Sequence, residues 1–267
     1  MAQPRSLLFV PGDRPERFAK ALASGADAVI VDLEDAVAPA SKVAARDALT
    51  GHLVGHSGVV LRINGRDTPW FDDDARAGAH PAIVGVMCPK TSGADDIAAL
   101  RSRCGDKPVL ALVETALGLA AIGGIAAAPG VARLVFGSID FQLDTDIEDD
   151  DEALRPYRAQ FVLASRVAGL PAPVDGVTAA IVDANALARD SRRARASGFG
   201  GKLCIHPNQV AAVNSAFAPS AEQLAWARRV VAASQASQGA AVAVDGRMVD
   251  APVFARACRL LAAWQQS

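Results

Sequence analysis

The sequence is poor in cysteine and histidine, and this scarcity excludes several kinds of site. It has four residues of each type among 267. No two cysteines form a Cys-x-x-Cys pair, so a structural zinc site and a disulfide framework are both disfavoured. We predict that the four thiols are reduced packing residues: Cys88, Cys104, Cys204 and Cys258.

A strong charge of one sign and a long apolar run are also missing. The formal net charge is −2, so nothing in the charge balance indicates a nucleic-acid partner. No apolar run approaches the roughly 20 residues that span a bilayer, and the apolar stretch near the N-terminus is too short for a signal peptide. We therefore expect a cytoplasmic protein that binds neither nucleic acid nor a membrane.

What the sequence does have is a repeated alternation of apolar runs and helical patterns. Runs that are apolar throughout are typical of parallel strands buried on both faces. Several of the helical patterns between them end at glycine, which is a helix-stop signal. Eight such strands predict an α/β fold, a (β/α)8 TIM barrel. The strand-like runs are 6–10, 28–33, 59–64, 83–88, 109–114, 133–137, 171–177 and 202–206.

A doubly wound open sheet is the alternative fold. It would lead us to expect a G-x-G-x-x-G turn after the first strand, whereas the chain has "VPGDRPER" there. After the eighth run come a long helical pattern and an amphipathic tail. Because 267 residues can share one core, we predict a single domain, residues 1–267, with additional C-terminal helices from about residue 219.

Polar residues follow the apolar runs at the points where the strands end. In a (β/α)8 barrel the active site forms at the carboxyl ends of the strands. The sequence therefore predicts one polar cluster to which many strands contribute. Its candidate members are Phe9, Pro11, Gly12, Arg14, Asp32, Glu34, Asp35, Arg62, Asn64, Lys90, Glu114, Asp140, His206 and Asn208.

Glu114 and Asp140 follow consecutive strands, so their side chains are expected to converge. A glutamate that ends a strongly apolar strand needs a cation or hydrogen bonds, and carboxylates with water are ligands that Mg²⁺ accepts. Zinc is disfavoured because no His/Cys cluster is present. We predict a Mg²⁺ site beside Arg62 that holds a 2-keto acid and stabilises negative charge in carbon–carbon cleavage or condensation. We interpret Lys90 as an ion-pair partner of the acidic cluster.

At these residues the sequence resembles the citrate lyase β-subunit-like branch of the HpcH/HpaI aldolase superfamily, which includes malyl-CoA and citramalyl-CoA lyases. The resemblance covers nearly the whole chain and is specific for the family but not for one substrate. The motifs that carry it are "RSLLFVPGDRPERFAKALASGADAVIVDLEDAV", "LRINGRDTPWFDDD", "VMCPKTSGADDI", "ALVETALGL", "LVFGSIDF" and "GKLCIHPNQV".

The resemblance implies a Mg²⁺-dependent TIM barrel that assembles as a homotrimer or hexamer. Such an enzyme cleaves or forms a 3-hydroxyacyl-CoA, giving an acyl-CoA and a 2-keto acid. Glu114 and Asp140 match the metal ligands, and Glu114 thereby also meets the substrate. Arg62 matches the catalytic arginine that binds the substrate acid and stabilises the developing enolate. Glu34 and Asp35 resemble groups that order metal-bound water, and one of them is a candidate for proton transfer.

The resemblance also implies contacts with the thioester. Phe9, Arg14 and Lys20 match positions that contact the CoA portion, and for the two cations a solvated helix face is the alternative reading. Ile205 and His206 match the strand-eight segment that lines the acyl-thioester side.

The chain departs from related lyases in three places. Ile139 stands where relatives often have an acidic residue, and the segment from Asp144 is strongly acidic. We also expect the chain to lack the longer C-terminal lid that supplies a catalytic acid in malyl-CoA lyases. The proton donor is therefore unidentified. Two alternative functions stay open: a class II aldolase acting on pyruvate and free aldehydes, and a citrate-lyase-like subunit acting on an acyl-carrier protein. A Schiff base through Lys90 or Lys202 is not expected.

Overall fold

The computed structural model describes residues 3–53 and 58–265. The chain forms two compact units, of which one is Pro4–Asn214 and the other contains Ser215 and the residues after it. That the whole chain acts as one domain stays a prediction.

The larger unit is a closed barrel of eight parallel strands among the residues described, and it confirms the predicted (β/α)8 fold. Each strand pairs with its neighbours in sequence, and the eighth pairs with the first. The strands are β1 (Ser6–Pro11), β2 (Ala28–Asp32), β3 (Val59–Arg62), β4 (Ile83–Cys88), β5 (Val109–Val113), β6 (Val131–Phe136), β7 (Val174–Asp175) and β8 (Gly201–Cys204).

Helices follow the strands in turn and surround the barrel, as alternating strand and helix patterns require. The helices that begin in this unit are α1 (Phe18–Leu22), α2 (Lys42–His52), α3 (Phe71–Ala77), α4 (Ala94–Cys104), α5 (Ala116–Ala120), α6 (Ile122–Ala127), α7 (Ser138–Thr145), α8 (Arg155–Val167), α9 (Ala184–Ala196) and α10 (Pro207–Phe217).

An apolar layer fills the inside of the barrel, and its residues show which positions further along each strand face the active site. Side chains alternate along a strand, so a residue two positions beyond an inward-facing one also faces inward. Each fully buried aliphatic side chain contributes about 1.5–3 kcal/mol, and this layer helps to offset the cost of the charges above it. Its members are Leu7, Ala28, Ile30, Val60, Met87, Leu110, Leu112, Val135, Val174 and Leu203.

Two elements differ from the sequence-based expectation. β7 is only two residues long and forms a single residue pair with β6, because Pro171 and Pro173 have no N–H to donate to a ladder. The helical pattern that follows the fifth apolar run is divided into α5 and α6 at Ala121. Two consecutive glycines at the start of α6 lower the helix propensity there.

Buried ion pairs hold β7 to its surroundings. Arg158 of α8 donates from Nε to Asp175 Oδ1 at 3.1 Å, and both side chains are buried. The Lys202 ammonium donates to the Gly176 carbonyl at 2.6 Å. These contacts support the barrel wall where the ladder is shortest, and they leave Lys202 hydrogen-bonded and buried.

The smaller unit is a helical pair with a β-hairpin between the two helices. It contains α11 (Ala221–Ala236), β9 (Val242–Val244), β10 (Arg247–Val249) and α12 (Ala251–Gln265). A capping box between Ser220 and Gln223 starts α11. The hairpin was not predicted, although the turn pair Asp245-Gly246, with φ of 51° and 73°, is a strong hairpin signal.

The four cysteines are free, as predicted. Cys88, Cys104 and Cys204 are buried, and Cys258 is partly exposed. Burial raises the pKa of the Cys88 and Cys204 thiols to about 12, which makes both unreactive as thiolates. None of the helices described is long and apolar enough to cross a membrane.

Candidate active site

A cavity of about 510 Å³ lies at the carboxyl ends of the barrel strands. It brings together eight of the residues that the sequence singled out, namely Phe9, Pro11, Asp32, Asp35, Arg62, Glu114, Asp140 and Ile205. The other lining residues are Ala36, Leu112, Phe136, Gly137, Ser138, Ile139, Gly176, Val177 and Leu203.

The Glu114 carboxylate lies at the base of this cavity, directly after β5. Its side chain is 1% exposed, and Oε1 accepts a hydrogen bond from the Lys90 backbone N–H at 2.7 Å. Burial, followed by the nearby charges of Glu34 and Asp140, raises its pKa to about 8. Without a cation, this carboxyl therefore tends to keep its proton at neutral pH.

Asp140 approaches Glu114 from the next strand, in the first turn of α7. The junction between β6 and α7 is Gly137, and a Cβ there would collide with the Glu114 side chain. A residue without a side chain thus lets the two chain segments come close. The prediction that Glu114 and Asp140 converge is confirmed, since both line the cavity and the Asp140 charge acts on the Glu114 carboxyl.

Lys90 joins the two sides of the acidic cluster. Its backbone is in the left-handed region, with φ of 48°, and this conformation accompanies the hydrogen bond from its amide to Glu114. The side-chain ammonium lies 2.6 Å from Glu34 Oε1, and this pairing raises the Lys90 pKa. The ion-pair interpretation of Lys90 is confirmed.

Arg62 ends β3 in the cavity, and each of its three side-chain nitrogens has an acidic partner. Nε and NH2 donate to the two carboxylate oxygens of Asp32 at 2.7 and 2.6 Å. NH1 lies 3.0 Å from Glu34 Oε2 and 3.4 Å from Asp35 Oδ2. The Phe9 ring lies against the guanidinium at 4.7 Å from its centroid.

The sequence reasoning placed Asp32 at a strand end but gave it no role in the site. The structure shows that it is the bidentate partner of Arg62, which the register of β2 and β3 sets directly opposite it. The alternation of side chains along β2 could have indicated that Asp32 faces inward, because Ile30 lies in the core and Asp32 is two positions further on.

The residues of the cavity fit a hard divalent cation. Burial and the charges of Glu34 and Asp140 outweigh the opposing effect of Arg62 on the Glu114 pKa, so the ionised form of Glu114 is unfavourable without a further cation. Residues 3–53 and 58–265 hold no cluster of three or more His, Cys, Asp or Glu that could bind a metal. Glu114 and Asp140 would therefore bind a metal together with water and substrate oxygens, which Mg²⁺ accepts.

The charged residues of the cavity lining lie mainly in one sector of the barrel. Asp32 and Arg62 end β2 and β3, and Glu114 and Asp140 follow β5 and β6. The sector formed by β7, β8 and β1 is lined mainly by Val177, Leu203, Ile205, Phe9 and Pro11. A ligand with a charged end and an apolar end fits this division.

Three residues assigned to substrate contacts lie outside the cavity lining. Arg14 and Lys20 are exposed on the segment after β1. His206 accepts a hydrogen bond at Nδ1 from the Asn208 backbone N–H, at 3.2 Å. The contacts of Arg14 and Lys20 with CoA, and the place of His206 on the acyl-thioester side, stay predictions.

Comparison with known proteins gives one family over most of the chain. The family model described as HpcH/HpaI aldolase/citrate lyase matches residues 5–207. A citrate lyase subunit beta-like protein of Mycobacterium tuberculosis is 41% identical, over 95% of this chain and 93% of its own length. A (3S)-malyl-CoA thioesterase of Cereibacter sphaeroides is 38% identical, over 92% of this chain and 89% of its own length.

A solved structure extends the likeness to three dimensions. The protein CitE from Mycobacterium tuberculosis, in complex with magnesium, acetoacetate and coenzyme A, superposes with a TM-score of 0.88 at 39% identity. The match covers 99% of this chain and 98% of that one.

Proposed function

Because the chain belongs to the HpcH/HpaI aldolase/citrate lyase family of carbon–carbon lyases, we propose that it cleaves or forms a 3-hydroxyacyl-CoA with the help of Mg²⁺. The products of cleavage are an acyl-CoA and a 2-keto acid. The observation that carries the proposal is the meeting of Glu114, Asp140 and Arg62 in one cavity. The CitE structure with magnesium, acetoacetate and coenzyme A supports the choice of ligands.

Glu114 and Asp140 would hold the Mg²⁺ ion in this site. The bound ion supplies positive charge next to the oxygens on which negative charge develops. Arg62 binds the substrate carboxylate and adds a second fixed positive charge, and such preorganised charges usually contribute most to catalysis. The apolar sector formed by β7, β8 and β1 receives the acyl half of the substrate.

Cleavage moves one proton at each end of the bond that breaks. The 3-hydroxyl loses its proton, the C2–C3 electron pair passes to the acyl half, and carbon 2 gains a proton. Asp35 is the better placed of the two proton-transfer candidates, since it lines the cavity and is 53% exposed at its side chain. Glu34 is buried between Arg62 and Lys90.

The direct test is a screen of malyl-, methylmalyl-, citramalyl- and citryl-CoA with Mg²⁺. Keto-acid release without free thiol indicates a lyase, and thiol release indicates a thioesterase like the Cereibacter sphaeroides relative. Condensation of pyruvate with a free aldehyde would favour the aldolase alternative. Binding of Mg²⁺ and oxaloacetate without turnover of any CoA ester would favour a carrier-protein subunit.

We expect Glu114→Gln and Asp140→Asn to lower kcat/KM by more than about 100-fold. Substitution of residues that only contact metal ligands already costs about 10–100-fold. Asp146→Asn is the matched control, since Asp146 is exposed just after the same helix as Asp140. Full turnover by metal-stripped enzyme in excess EDTA would contradict the proposal. A homotrimer or hexamer is an expectation from the family and a cytoplasmic location is one from the sequence, and both stay predictions.

A further inference from the structure

Asp32 and Arg62 form a buried bidentate pair within the cavity. The two residues are direct neighbours across the β2–β3 ladder, and both side chains are at most 9% exposed. Each Asp32 oxygen accepts one guanidinium N–H, at 2.7 and 2.6 Å. Paired charge-assisted hydrogen bonds of this kind fix direction as well as adding energy.

Asp32 is itself held in place by the chain that follows it. Oδ1 accepts a hydrogen bond from the Glu34 backbone N–H at 2.8 Å, and Oδ2 accepts one from the Ala36 N–H at 3.2 Å. The Phe9 ring covers one face of the Arg62 guanidinium. The orientation of Arg62 is therefore fixed on one edge and one face by groups that need no substrate.

The Asp32 contacts also determine which edge of Arg62 is left for a ligand. A guanidinium has five N–H donors, one on Nε and two on each terminal nitrogen. Asp32 occupies the edge formed by Nε and NH2. The terminal edge is formed by NH1 and NH2. NH1 lies 3.0 Å from the buried Glu34 Oε2 and 3.4 Å from Asp35 Oδ2, and Asp35 lines the cavity and is half-exposed. A substrate carboxylate at this edge would share NH1 with these two acids.

We propose that Asp32 is a positioning residue that presents the NH1/NH2 edge of Arg62 to the substrate carboxylate. Without Asp32, the Nε edge would compete for that carboxylate and would hold it in another place relative to Glu114 and Asp140. The inference rests on the proposed function, in which Arg62 binds the substrate acid.

The first test is Asp32→Asn, which keeps the size of the side chain but turns one acceptor into a donor facing NH2. We expect KM for the thioester substrate to rise about 10–100-fold, as for other partners of site groups, with a smaller change in kcat and unchanged Mg²⁺ affinity. Asp27→Asn is the matched control. Asp27 forms a comparable bidentate pair with Arg5, at 2.8 and 3.1 Å, just before β2. An unchanged KM in folded Asp32→Asn enzyme would overturn the proposal.

The second test uses Arg62→Ala and added methylguanidinium, and its first readout needs no turnover. We expect methylguanidinium to bind beside Asp32, raise the Tm of Arg62→Ala saturably, and restore part of its activity. The Arg62→Ala/Asp27→Asn variant should respond in the same way, and Arg62→Ala/Asp32→Asn should not respond. This last variant carries neither buried charge of the pair, which favours its folding.

The outcomes separate the two claims. An equal response with and without Asp32 would overturn the positioning role. If the wild-type enzyme turns over no CoA thioester, the proposed function fails, while the Tm readout still decides whether Asp32 orients a guanidinium.

Discussion

Glu114 is a carboxyl group placed where its ionised form is unfavourable by itself. It is buried, it accepts one backbone hydrogen bond, and its nearest charged neighbours include two further carboxylates. A divalent cation would reverse this balance, because it favours the ionised form of each carboxylate around it. The raised pKa of about 8 is thus a property of the metal-free protein.

This raised pKa predicts how the stability of the metal-free protein changes with pH. The Glu114 pKa rises from its ordinary value of 4.5 to about 8 in the folded protein. Between these values the folded state holds a proton that the unfolded state has lost. The free energy of unfolding should therefore fall as pH rises through this window. Urea unfolding in EDTA at pH 5 to 8 measures the effect.

The Glu114→Gln variant is the control for this titration. Its free energy of unfolding should depend less on pH over the same window, because the amide does not titrate. Saturating Mg²⁺ should weaken the dependence in the wild-type protein, since the ion binds the deprotonated carboxylate. Parallel pH profiles for wild type and variant in EDTA would show that Glu114 does not titrate there.

At the scale of secondary-structure elements, the junction between β6 and α7 controls the distance between the two candidate metal ligands. β6 ends at Phe136 and α7 begins at Ser138, so Gly137 alone connects them. A side chain at Gly137 would meet the side chain of Glu114. The glycine is needed for close approach across neighbouring strands, and its φ of −87° is open to any residue.

We expect Gly137→Ala to displace Glu114 and to weaken Mg²⁺ binding and turnover. Overpacking of this kind typically costs about 1–3 kcal/mol of stability. Gly124→Ala is the matched control, because Gly124 lies in α6 with nothing near its added Cβ. This control should gain about 0.4–1 kcal/mol of stability and keep full activity. Isothermal titration with Mg²⁺ and thermal unfolding give both quantities, and unchanged Mg²⁺ affinity in Gly137→Ala would contradict the argument.

The same elements show what the sequence could and could not predict. The alternation of apolar runs with helical patterns was enough to predict the barrel, and the order of the strands was enough to predict the meeting of Glu114 and Asp140. These patterns were not enough to pair Asp32 with Arg62, because the lateral register of β2 and β3 is a tertiary property. The close approach at Gly137 was not predicted for the same reason, since its neighbour Glu114 follows another strand. The short β7 was overestimated because two prolines were read as part of a strand.

At the scale of the whole barrel, we expect charged residues in the wall to contribute to stability and charged residues in the cavity to contribute to ligand binding. In the cavity, Arg62 and Lys90 balance acids that can meet a ligand. In the wall, Arg158 pairs with Asp175 and also donates to Asp150. These wall contacts lie outside the cavity lining and hold the shortest strand to α8, so they should affect stability and leave the chemistry unchanged.

Arg158→Met tests this division, since it leaves the fully buried Asp175 carboxylate without its arginine. Breaking a buried ion pair from one side typically costs about 3–5 kcal/mol. Lys202 lies close enough to act on Asp175 electrostatically, so we expect a loss of stability near the lower end of this range.

Arg155→Met is the control on the same helix, and its exposed pair with Asp151 should contribute about 0–1 kcal/mol. Urea unfolding should separate the two variants clearly, and both should keep the wild-type kcat at temperatures where they are folded. A loss of kcat in folded Arg158→Met would mean that the wall network also shapes the site, through the strand end at Gly176 that borders the cavity.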